Sequence, residues 1–576
     1  MKNRLCSALA LMTTSVVSLS WSAAALAQDA PAVSPVSVTP PSLTPAPRDS
    51  GVRIDIPEAG ALQPPAGAEG LQVILADATV TGGFSEVESE LFAALSKLRG
   101  RKVSLAEIYA AASEVEAIHA RAGYVLARVS VPPQNLSDGG RLQIEVTDGF
   151  VEDVDVANLP LRIRSAIKAR VGVLIGKRHV RLAEIESALL LTGDLPGLTL
   201  RSTLMRGATP GGTRLVLEGR QKLVTGSLGV DNQLDQSLGQ WQANLQLALN
   251  SLLGKGELIY GFVATGYQLD QIFRETARER VLGGGMILPL GSGRLTINPE
   301  ATFVRTVPTP GIGAPASVGL LRRLSLRGNA TLIRTRRMQA GLGLGIEQVD
   351  VASKLPAFAT EINHDRYMVA RLGGSAGVVT ARGASYGAAV QFSQGLGNFG
   401  AISAADALAA SVPFSRVGAS TGFNKLNLSV RAAWLLGQGF SLVVNGRGQS
   451  SFGRSVFRAE QFAMEGTDGL SAYRGGNTAV DAGIVGRMEF ARSLSMPRTS
   501  AVSALSPYGF IAVGGGRLEA PTTLERKHIS AFNLGGGFRA TLFDRFDVNI
   551  EFARGIADYE LLDKVSRVNV STTLRF

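Results

Sequence analysis

The chain has 576 residues, with 58 Lys or Arg, 47 Asp or Glu and a single cysteine. Charged residues make up 18% of the chain and hydrophobic residues 45%, which excludes a largely disordered protein. The net charge of +11 is spread along the sequence without a long Lys/Arg run, which argues against a nucleic-acid partner. We therefore expect a folded protein that does not bind nucleic acid.

A signal peptide is predicted over residues 1–27. A basic start precedes a long apolar stretch that ends in a small-x-small pattern, so cleavage is predicted between Ala27 and Gln28. The alternative, a transmembrane anchor, needs about 20 apolar residues, and the stretch is interrupted by Ser and Thr. Cleavage would remove the cysteine, Cys6, and would exclude disulfides and thiolate metal sites from the mature chain.

Residues 28–68 are predicted to form a linker. Nine of the 24 prolines lie between Asp29 and Gly67. Because proline fixes the backbone angle φ and removes a hydrogen-bond donor, this segment should be extended and semi-rigid rather than helical.

Two successive α/β units with the order β-α-α-β-β are predicted at residues 69–148 and 149–220. In the first unit, Ser104 and Glu107 form a capping box that opens the second helix. A strand is predicted from Tyr124 to Val131, where apolar and polar residues alternate. The same β-α-α-β-β unit is therefore repeated in a chain that is predicted to be exported.

From residue 221 to 576, segments of about ten residues alternate polar and apolar side chains. Strands with one face in lipid and the other in a polar lumen have this pattern. A soluble β-sandwich is the alternative, but sandwiches seldom sustain such strands over so long a block. At roughly 22 residues per strand and loop, the block predicts a transmembrane barrel of about 16 antiparallel strands.

No catalytic constellation is predicted. Gly383 to Gly387 fit the G-x-S-x-G pattern of serine hydrolases, but they lie in an alternating strand without the helix that this motif requires. The four histidines are far apart and lack the spacing of metal ligands. We therefore expect no enzymatic activity, no metal and no cofactor.

A long connection at about 452–482 separates two strand patterns. Loops of this length are uncommon unless they are functional. Charged, glycine-rich and apolar residues alternate in it, as expected of a segment folded into a wet lumen. This loop is the first candidate for a functional element.

Together, these features resemble the outer-membrane transporters of two-partner secretion, the hemolysin and filamentous-hemagglutinin secretion/activation proteins. They belong to a superfamily of barrels with periplasmic POTRA (polypeptide-transport-associated) domains. The resemblance covers about Leu71 to Phe576 and includes the turns at 131–134 and 194–197. It implies that the two α/β units are POTRA domains. The family often carries an N-terminal plug helix, which the proline-rich segment of this chain does not show.

The resemblance also implies a contact between the long loop and the barrel wall. The family's loop carries an Arg-Gly pair at its tip, and the following strand carries Phe-x-Asp-x-Gly, whose aspartate pairs with the arginine. This chain keeps the Arg-Gly pair but has alanine at the aspartate position. At the loop tip Arg474 and Gly475 match the pair, whereas the flanking Tyr473 and Gly476 depart from the family's usual pattern. In the strand, Phe510 and Gly514 match the motif and Ala512 departs from it.

Another acid should therefore pair with Arg474, because an unpaired guanidinium is costly where solvent is restricted. Alternation in the strand after the loop places Glu489 on the inward face beside Arg487, and Asp481 lies at the strand's entry. We predict Glu489 as the partner, with Asp481 second. The alternative is that Glu489 pairs only with Arg487 on the wall.

The resemblance implies an outer-membrane pore with its N-terminal domains in the periplasm. Its expected partner is a large secreted adhesin or hemolysin with a β-helical secretion domain, translocated to the cell surface without ATP. Outer-membrane lipid and the barrel assembly machinery are further expected partners. The alternatives are an assembly or insertion factor for outer-membrane proteins and, third, a passive solute channel, in which the α/β units would have no role.

Overall fold

The computed structural model describes residues 34–43, 53–55, 63–266, 274–476, 478–497, 501–523, 525–558 and 564–576. The predicted signal peptide and its cleavage site between Ala27 and Gln28 lie outside these residues. Among the described residues, no helix combines the length and apolar character needed to cross a membrane. Residues 34–43 contain a short 3-10 helix, Pro35–Val38, and are followed by a short strand, β1 (Arg53–Asp55).

The first α/β domain has two helices packed on a four-stranded sheet. Its elements are β2 (Gln72–Thr81), α1 (Glu88–Ser96), β3 (Lys102–Ser104), α2 (Leu105–Arg121), β4 (Arg128–Ser130) and β5 (Gly140–Thr147). The strand order is β3-β2-β5-β4. The Glu107 N–H donates to Ser104 Oγ (3.2 Å) and the Ser104 N–H donates to the Glu107 carboxylate (2.7 Å), so the predicted capping box is confirmed.

The strand predicted from Tyr124 to Val131 is wrong in its first half, because only Arg128–Ser130 are extended. The Tyr124 N–H bonds to the carbonyl of His119 at the end of α2, and the Ala127 N–H bonds to the carbonyl of Tyr124, which makes a turn. The buried Tyr124 ring carries the guanidinium of Arg181, from the second domain, at 5.5 Å. A contact between the domains therefore replaces strand pairing here.

The second α/β domain repeats the predicted β-α-α-β-β order. Its elements are β6 (Phe150–Asn158), α3 (Arg164–Val171), α4 (Leu182–Gly193), β7 (Leu198–Arg206) and β8 (Gly212–Gln221). The sheet order is β1-β7-β8-β6, in which β1 lies parallel to β7. Part of the predicted linker is thus a strand of this sheet.

A closed β-barrel follows the second domain. The remaining elements are β9 (Val224–Asp231), β10 (Gln242–Asn250), β11 (Leu258–Gly266), β12 (Glu279–Leu290), β13 (Leu295–Thr306), β14 (Val318–Arg334), β15 (Met338–Leu355), β16 (Thr360–Val379), β17 (Ser385–Leu396), α5 (Ala404–Ala409), β18 (Asn424–Gly437), β19 (Phe440–Ser450), β20 (Phe462–Ala463), β21 (Ala479–Val480), β22 (Ala482–Arg492), β23 (Val502–Arg517), β24 (His528–Leu542), β25 (Phe546–Ala557) and β26 (Lys564–Arg575). Within the described ranges, sixteen of these strands close into an antiparallel barrel, in which β26 pairs with β9. The predicted fold class is confirmed.

The alternating pattern places side chains as predicted on the two barrel faces. In β22, the side chains of Ile484, Met488 and Phe490 are exposed on the outer face, whereas Arg487 and Glu489 are buried inside. An apolar outer face suits lipid, and an inner face with charged residues suits an aqueous lumen. The strands therefore direct ionisable side chains into one shared interior, where the candidate site lies.

Candidate functional site in the barrel lumen

Two chain segments occupy the barrel lumen. We call residues 34–43 the lumen segment and residues 451–481, between β19 and β22, the lumen loop. Both line a cavity of about 1930 Å³ inside the barrel. The lumen is thus filled by segments that connect to the periplasmic domains and to the opposite end of the barrel.

The lumen segment is held to β13 and β14 through its backbone. The Leu43 N–H donates to the Glu300 carboxylate at 3.1 Å, and Arg323 donates to the Pro40 carbonyl at 2.8 Å. Val36 and Val38 pack against buried apolar side chains of the barrel interior. The sequence predicted only an extended linker here, because proline-rich composition does not reveal where a segment docks.

The lumen loop is largely buried and carries its own small hairpin. β20 and β21 pair antiparallel, with Phe462 opposite Val480. Above the hairpin, the Glu465 carboxylate accepts hydrogen bonds from the Gly476 N–H and the Thr478 hydroxyl. The loop is therefore a folded element rather than a flexible connection.

Glu460 is the main charged contact between the lumen loop and the wall. Its side chain is 2% exposed, and its carboxylate lies 2.8 Å from Arg371 Nη2 on β16 and 2.8 Å from Lys425 Nζ on β18. The Tyr367 hydroxyl donates to the same carboxylate at 3.0 Å. Arg371 also pairs with Glu347 of β15 at 2.9 Å, so two acids balance two cations in this cluster.

Asp481 fixes the end of the lumen loop. This fully buried carboxylate accepts hydrogen bonds from the Val456 N–H at 3.2 Å and the Glu519 N–H at 2.8 Å. It also pairs with Arg416, from the connection between β17 and β18, at 3.4 Å. Asp481 thus joins the loop's start, its end and two neighbouring connections.

The predicted pairing of Arg474 with Glu489 is wrong in this structure. Glu489 forms two hydrogen bonds with Arg539 of β24, at 2.5 and 2.8 Å, and lies 3.3 Å from Arg487. Asp481, the second candidate, pairs with Arg416 instead. Within the described part of the chain, Arg474 makes no ion pair and lines the cavity. The cavity is large enough to admit water, so Arg474 does not lie where restricted solvent would require an ion pair.

Wall side chains hold the loop tip through its backbone and a hydroxyl. Arg487 Nη1 donates to Ser471 Oγ at 3.1 Å, Asn569 donates to the Ser471 carbonyl at 2.9 Å, and Arg567 donates to the Tyr473 carbonyl at 3.3 Å. The Tyr473 ring packs on Gly555, where an added Cβ would lie only 2.8 Å from the ring. The two cations in these contacts, Arg487 and Arg567, belong to the wall, not to the loop.

Phe510, Ala512 and Gly514, the strand residues that depart from the family's Phe-x-Asp-x-Gly motif at Ala512, lie near Arg487 or the lumen loop. Ala512 is directly opposite Arg487 in the pairing of β22 with β23, and the Arg487 guanidinium lies 3.5 Å from the centre of the Phe510 ring. Arg487 also pairs with Glu551 at 2.7 Å. Glu489 and Glu551, both on the wall, therefore supply the negative charge around Arg487. Gly514 is near the loop, because a Cβ there would lie 3.1 Å from Leu470.

The lumen segment and the loop tip are in contact. A Cβ on Gly475 would stand 3.7 Å from the Cβ of Ser37, and one on Gly476 would stand 3.9 Å from it. The two segments therefore meet inside the barrel, and movement of one changes the surroundings of the other.

On the opposite face, the second α/β domain docks on the barrel turns. Asp194 accepts two hydrogen bonds from Arg334 at the end of β14, both at 2.8 Å. Arg294 donates to Ser187 of α4 at 2.8 Å. Arg170 of α3 packs beneath the turn at Gly293, and burial lowers its pKa to about 10 although Asp194 opposes this. The turn predicted at 194–197 is thus a docking point for the barrel.

Comparisons with known proteins agree with this architecture. A family model described as haemolysin secretion/activation protein ShlB/FhaC/HecB matches residues 211–537, and a model described as POTRA domain, ShlB-type, matches residues 78–149. Among curated proteins, the chain is 29% identical over 171 residues to the outer membrane transporter CdiB of Dickeya dadantii (strain 3937) and 25% identical over 169 residues to the hemolysin transporter protein ShlB of Serratia marcescens. Each alignment spans 29% of this chain and 29% of the relative.

Solved structures share the fold over nearly the full length. CdiB from Escherichia coli has a TM-score of 0.68 at 18% identity, with 90% of this chain and 94% of that chain covered. BamA from Haemophilus ducreyi lacking POTRA domains 1–3 has a TM-score of 0.51 at 11% identity, with 87% of this chain and 100% of that chain covered.

Proposed function

Because this chain belongs to the haemolysin secretion/activation protein family, we propose that it is a pore that recognises a large exported partner protein and passes it to the cell surface. It is an outer-membrane β-barrel with its POTRA domains in the periplasm. The observation that carries the proposal is the filling of the lumen by two segments of the chain that are not strands of the barrel. A barrel of sixteen strands is wide enough for an aqueous channel once they move.

The lumen contacts suit a passage that opens and closes. The lumen segment is held by two hydrogen bonds to its backbone and by packing of two valines. In contrast, the lumen loop is held by buried ion pairs around Glu460 and Asp481. We infer that the lumen segment leaves first, and that the loop then adjusts its tip around the extended partner.

Recognition of the partner falls to the POTRA domains. Strand edges offer unpaired backbone groups, and an extended peptide can add to such an edge. The proposed partner is an unfolded adhesin or hemolysin whose β-helical secretion domain folds at the cell surface. That folding would drive export without ATP.

An assembly or insertion factor for outer-membrane proteins is the second candidate, favoured by the similarity to BamA. A passive solute channel would leave the two docked α/β domains without a role. A gene for a large exported protein beside the gene for this chain would discriminate between these functions, because an assembly factor acts on many barrels and a secretion pore on one partner.

Deletion of residues 71–148 tests the proposal. We expect loss of export of the partner while the barrel still inserts and shifts on heating in an unboiled gel, since the lipid-facing block does not contain the first domain. Levels of other outer-membrane barrels serve as the control. Normal export by the shortened protein would contradict a recognition role for this domain, and a general fall in other barrels would favour the assembly factor.

A further inference from the structure

Four arginines lie together on neighbouring strands of the barrel wall. Arg280 of β12 is directly opposite Arg305 of β13. Arg322 of β14 and Arg366 of β16 both lie opposite Asp350 of β15. We call these four arginines the outer cation cluster. The strand register therefore gathers them on one side of the barrel, although they are far apart in the sequence.

The side chains of the cluster point away from the lumen. Successive side chains of a strand point to opposite faces, and Thr306, next to Arg305, is buried inside the barrel. Phe303, two positions before Arg305, is exposed on the outer face, and the Arg322 guanidinium lies 6.0 Å from the centre of its ring. Arg280 is opposite Arg305 and so shares its face. The cluster is thus on the surface that faces lipid.

The cluster lies at the outer edge of the membrane-spanning band. β13 begins at Leu295, beside the turn that docks on the second α/β domain, and Arg305 follows ten positions later. At about 3.3 Å per residue and a tilt of about 40°, Arg305 stands about 25 Å above the periplasmic end, which is the height of the apolar band of such barrels. Ile297 and Phe303 are exposed within that band. The cations therefore lie where the headgroups of the outer leaflet begin.

The described part of the protein does not pair these charges. Among the described residues, none of the four arginines forms an ion pair, and the Asp350 carboxylate lies 2.9 Å from His364 Nε2 instead. Arg305 donates one hydrogen bond, from Nη2 to the Glu275 carbonyl at 3.1 Å. Like charges directly opposite each other destabilise a strand pair, and a cation on the lipid face of a barrel is costly. An anion from outside the chain would compensate both effects.

We propose that the outer cation cluster binds the phosphate groups of lipopolysaccharide, the phosphorylated glycolipid of the outer leaflet. Guanidinium groups form paired hydrogen bonds with phosphate oxygens, which suits four arginines better than a diffuse basic surface. Phe303 and Leu326, which are exposed on the same face below the cluster, would contact the acyl chains. This inference goes beyond the proposed function, because it depends on the outer-membrane location and not on any exported partner.

Titration of deep-rough lipopolysaccharide into the purified full-length protein in a neutral detergent tests the site. The variants are Arg280→Gln/Arg305→Gln and Arg322→Gln/Arg366→Gln, and an unboiled gel confirms that each barrel is folded. Loss of one hydrogen bond to a charged group lowers affinity by about tenfold or more. We therefore expect each double variant to bind lipopolysaccharide at least about tenfold more weakly in native mass spectrometry. Wild-type affinity in both variants would overturn the site.

Arg554→Gln is the matched control. Arg554 of β25 is also exposed on the outer face, but the residues opposite it are Leu534 and Ser566, neither of which is charged. We expect this variant to bind lipopolysaccharide as the wild type does. Equal weakening by Arg554→Gln would show that net charge, and not the cluster, attracts the lipid.

Two further probes identify the group that is recognised. Lipid A without its phosphates should bind weakly to the wild type, and equally tight binding would overturn phosphate recognition. Phosphatidylglycerol in the same detergent should also bind more weakly, because it offers one phosphate for four arginines. Equal affinity for phosphatidylglycerol would overturn the choice of lipopolysaccharide as the ligand.

The repulsion between Arg280 and Arg305 provides a measurement without lipid. In detergent free of lipopolysaccharide and phosphate, Arg280→Gln should raise the midpoint of thermal unfolding, because it removes a like charge from a directly opposite pair. Added lipopolysaccharide should then raise the midpoint of the wild type more than that of the variant. A lower midpoint for Arg280→Gln without lipid would show that the cluster needs no external anion, and would overturn the proposal. None of these measurements involves export, so they stand or fall separately from the proposed function.

Discussion

At the scale of single residues, the lumen loop is attached to the wall by carboxylates. Glu460 contacts two cations and a tyrosine hydroxyl, while Arg474 extends into the cavity. Breaking a buried ion pair by neutralising one partner leaves the other charge without compensation. The loop's position therefore depends more on Glu460 than on the arginine at its tip.

Glu460→Gln should loosen the loop. It leaves Arg371 and Lys425 with an uncompensated buried charge, which costs about 3–5 kcal/mol. We expect the loop to become sensitive to protease added to intact cells, with reduced export and normal amounts of barrel.

Glu361→Gln is the matched control. Glu361 lies 2.7 Å from Lys354 and 3.4 Å from His364 near the end of the barrel, where all three side chains are partly exposed. Exposed pairs contribute about 0–1 kcal/mol. Equal protease sensitivity in the two variants would show that the buried ion pairs of Glu460 do not fix the position of the lumen loop.

Arg474→Ala and Arg487→Ala should differ in stability. Within the described residues Arg474 has no ion pair to lose, whereas Arg487 pairs with Glu489 and Glu551 and donates to Ser471. We expect the heat-modifiability midpoint to stay unchanged for Arg474→Ala and to fall for Arg487→Ala. A lower midpoint for Arg474→Ala would reveal a pairing of the loop tip in the membrane.

The residues of the site could be predicted only in part. Period-two alternation correctly placed Arg487 and Glu489 inside, and Ala512 correctly indicated that the family's usual pair is missing. The true partners of Glu489 and Glu460 lie on other strands, at Arg539 and Arg371, and strand register decides which inward residues meet. A single sequence does not specify which residues of neighbouring strands lie opposite each other.

At the scale of secondary-structure elements, long stretches of regularly spaced apolar residues predicted helices and strands correctly, whereas short stretches did not. The capping box at Ser104 and the barrel strands follow from local physics, so the sequence predicts them. In contrast, Tyr124–Ala127 alternate like a strand but form a turn, because burial against the neighbouring domain outweighs local propensity. β1 lies in a proline-rich linker and pairs with β7, which is far away in the sequence, so the local pattern did not predict it.

Docking of the second domain depends on the turn at Asp194. Asp194→Asn removes the charge that holds Arg334, so we expect wider distance distributions between spin labels on this domain and on the barrel. Glu186→Gln is the control, because Glu186 lies 3.4 Å from the half-exposed Arg336 and contributes little. Unchanged distributions in Asp194→Asn would mean that packing of α3 and α4 alone fixes the domain.

At the scale of the whole molecule, the lumen is filled from two sides, by a segment before the first POTRA domain and by a loop between β19 and β22. Replacing residues 34–43 with a glycine-serine segment of equal length removes the packing of Val36 and Val38 and the prolines that restrict the backbone, while the linker keeps its length. We expect larger and more frequent openings in planar bilayers. Conductance equal to that of the wild type would show that the lumen loop alone closes the pore.

The contact between Ser37 and Gly475 has a consequence for the bacterium that carries this protein. The outer membrane excludes bulky toxic compounds, and a channel of this width that stayed open without a partner would let them through. The two segments meet inside the channel, so both must move before large molecules can pass. Copies of the protein that are not exporting a partner therefore do not make the cell more permeable. We therefore expect that cells lose resistance to antibiotics too large for ordinary porins when both segments are removed from the lumen.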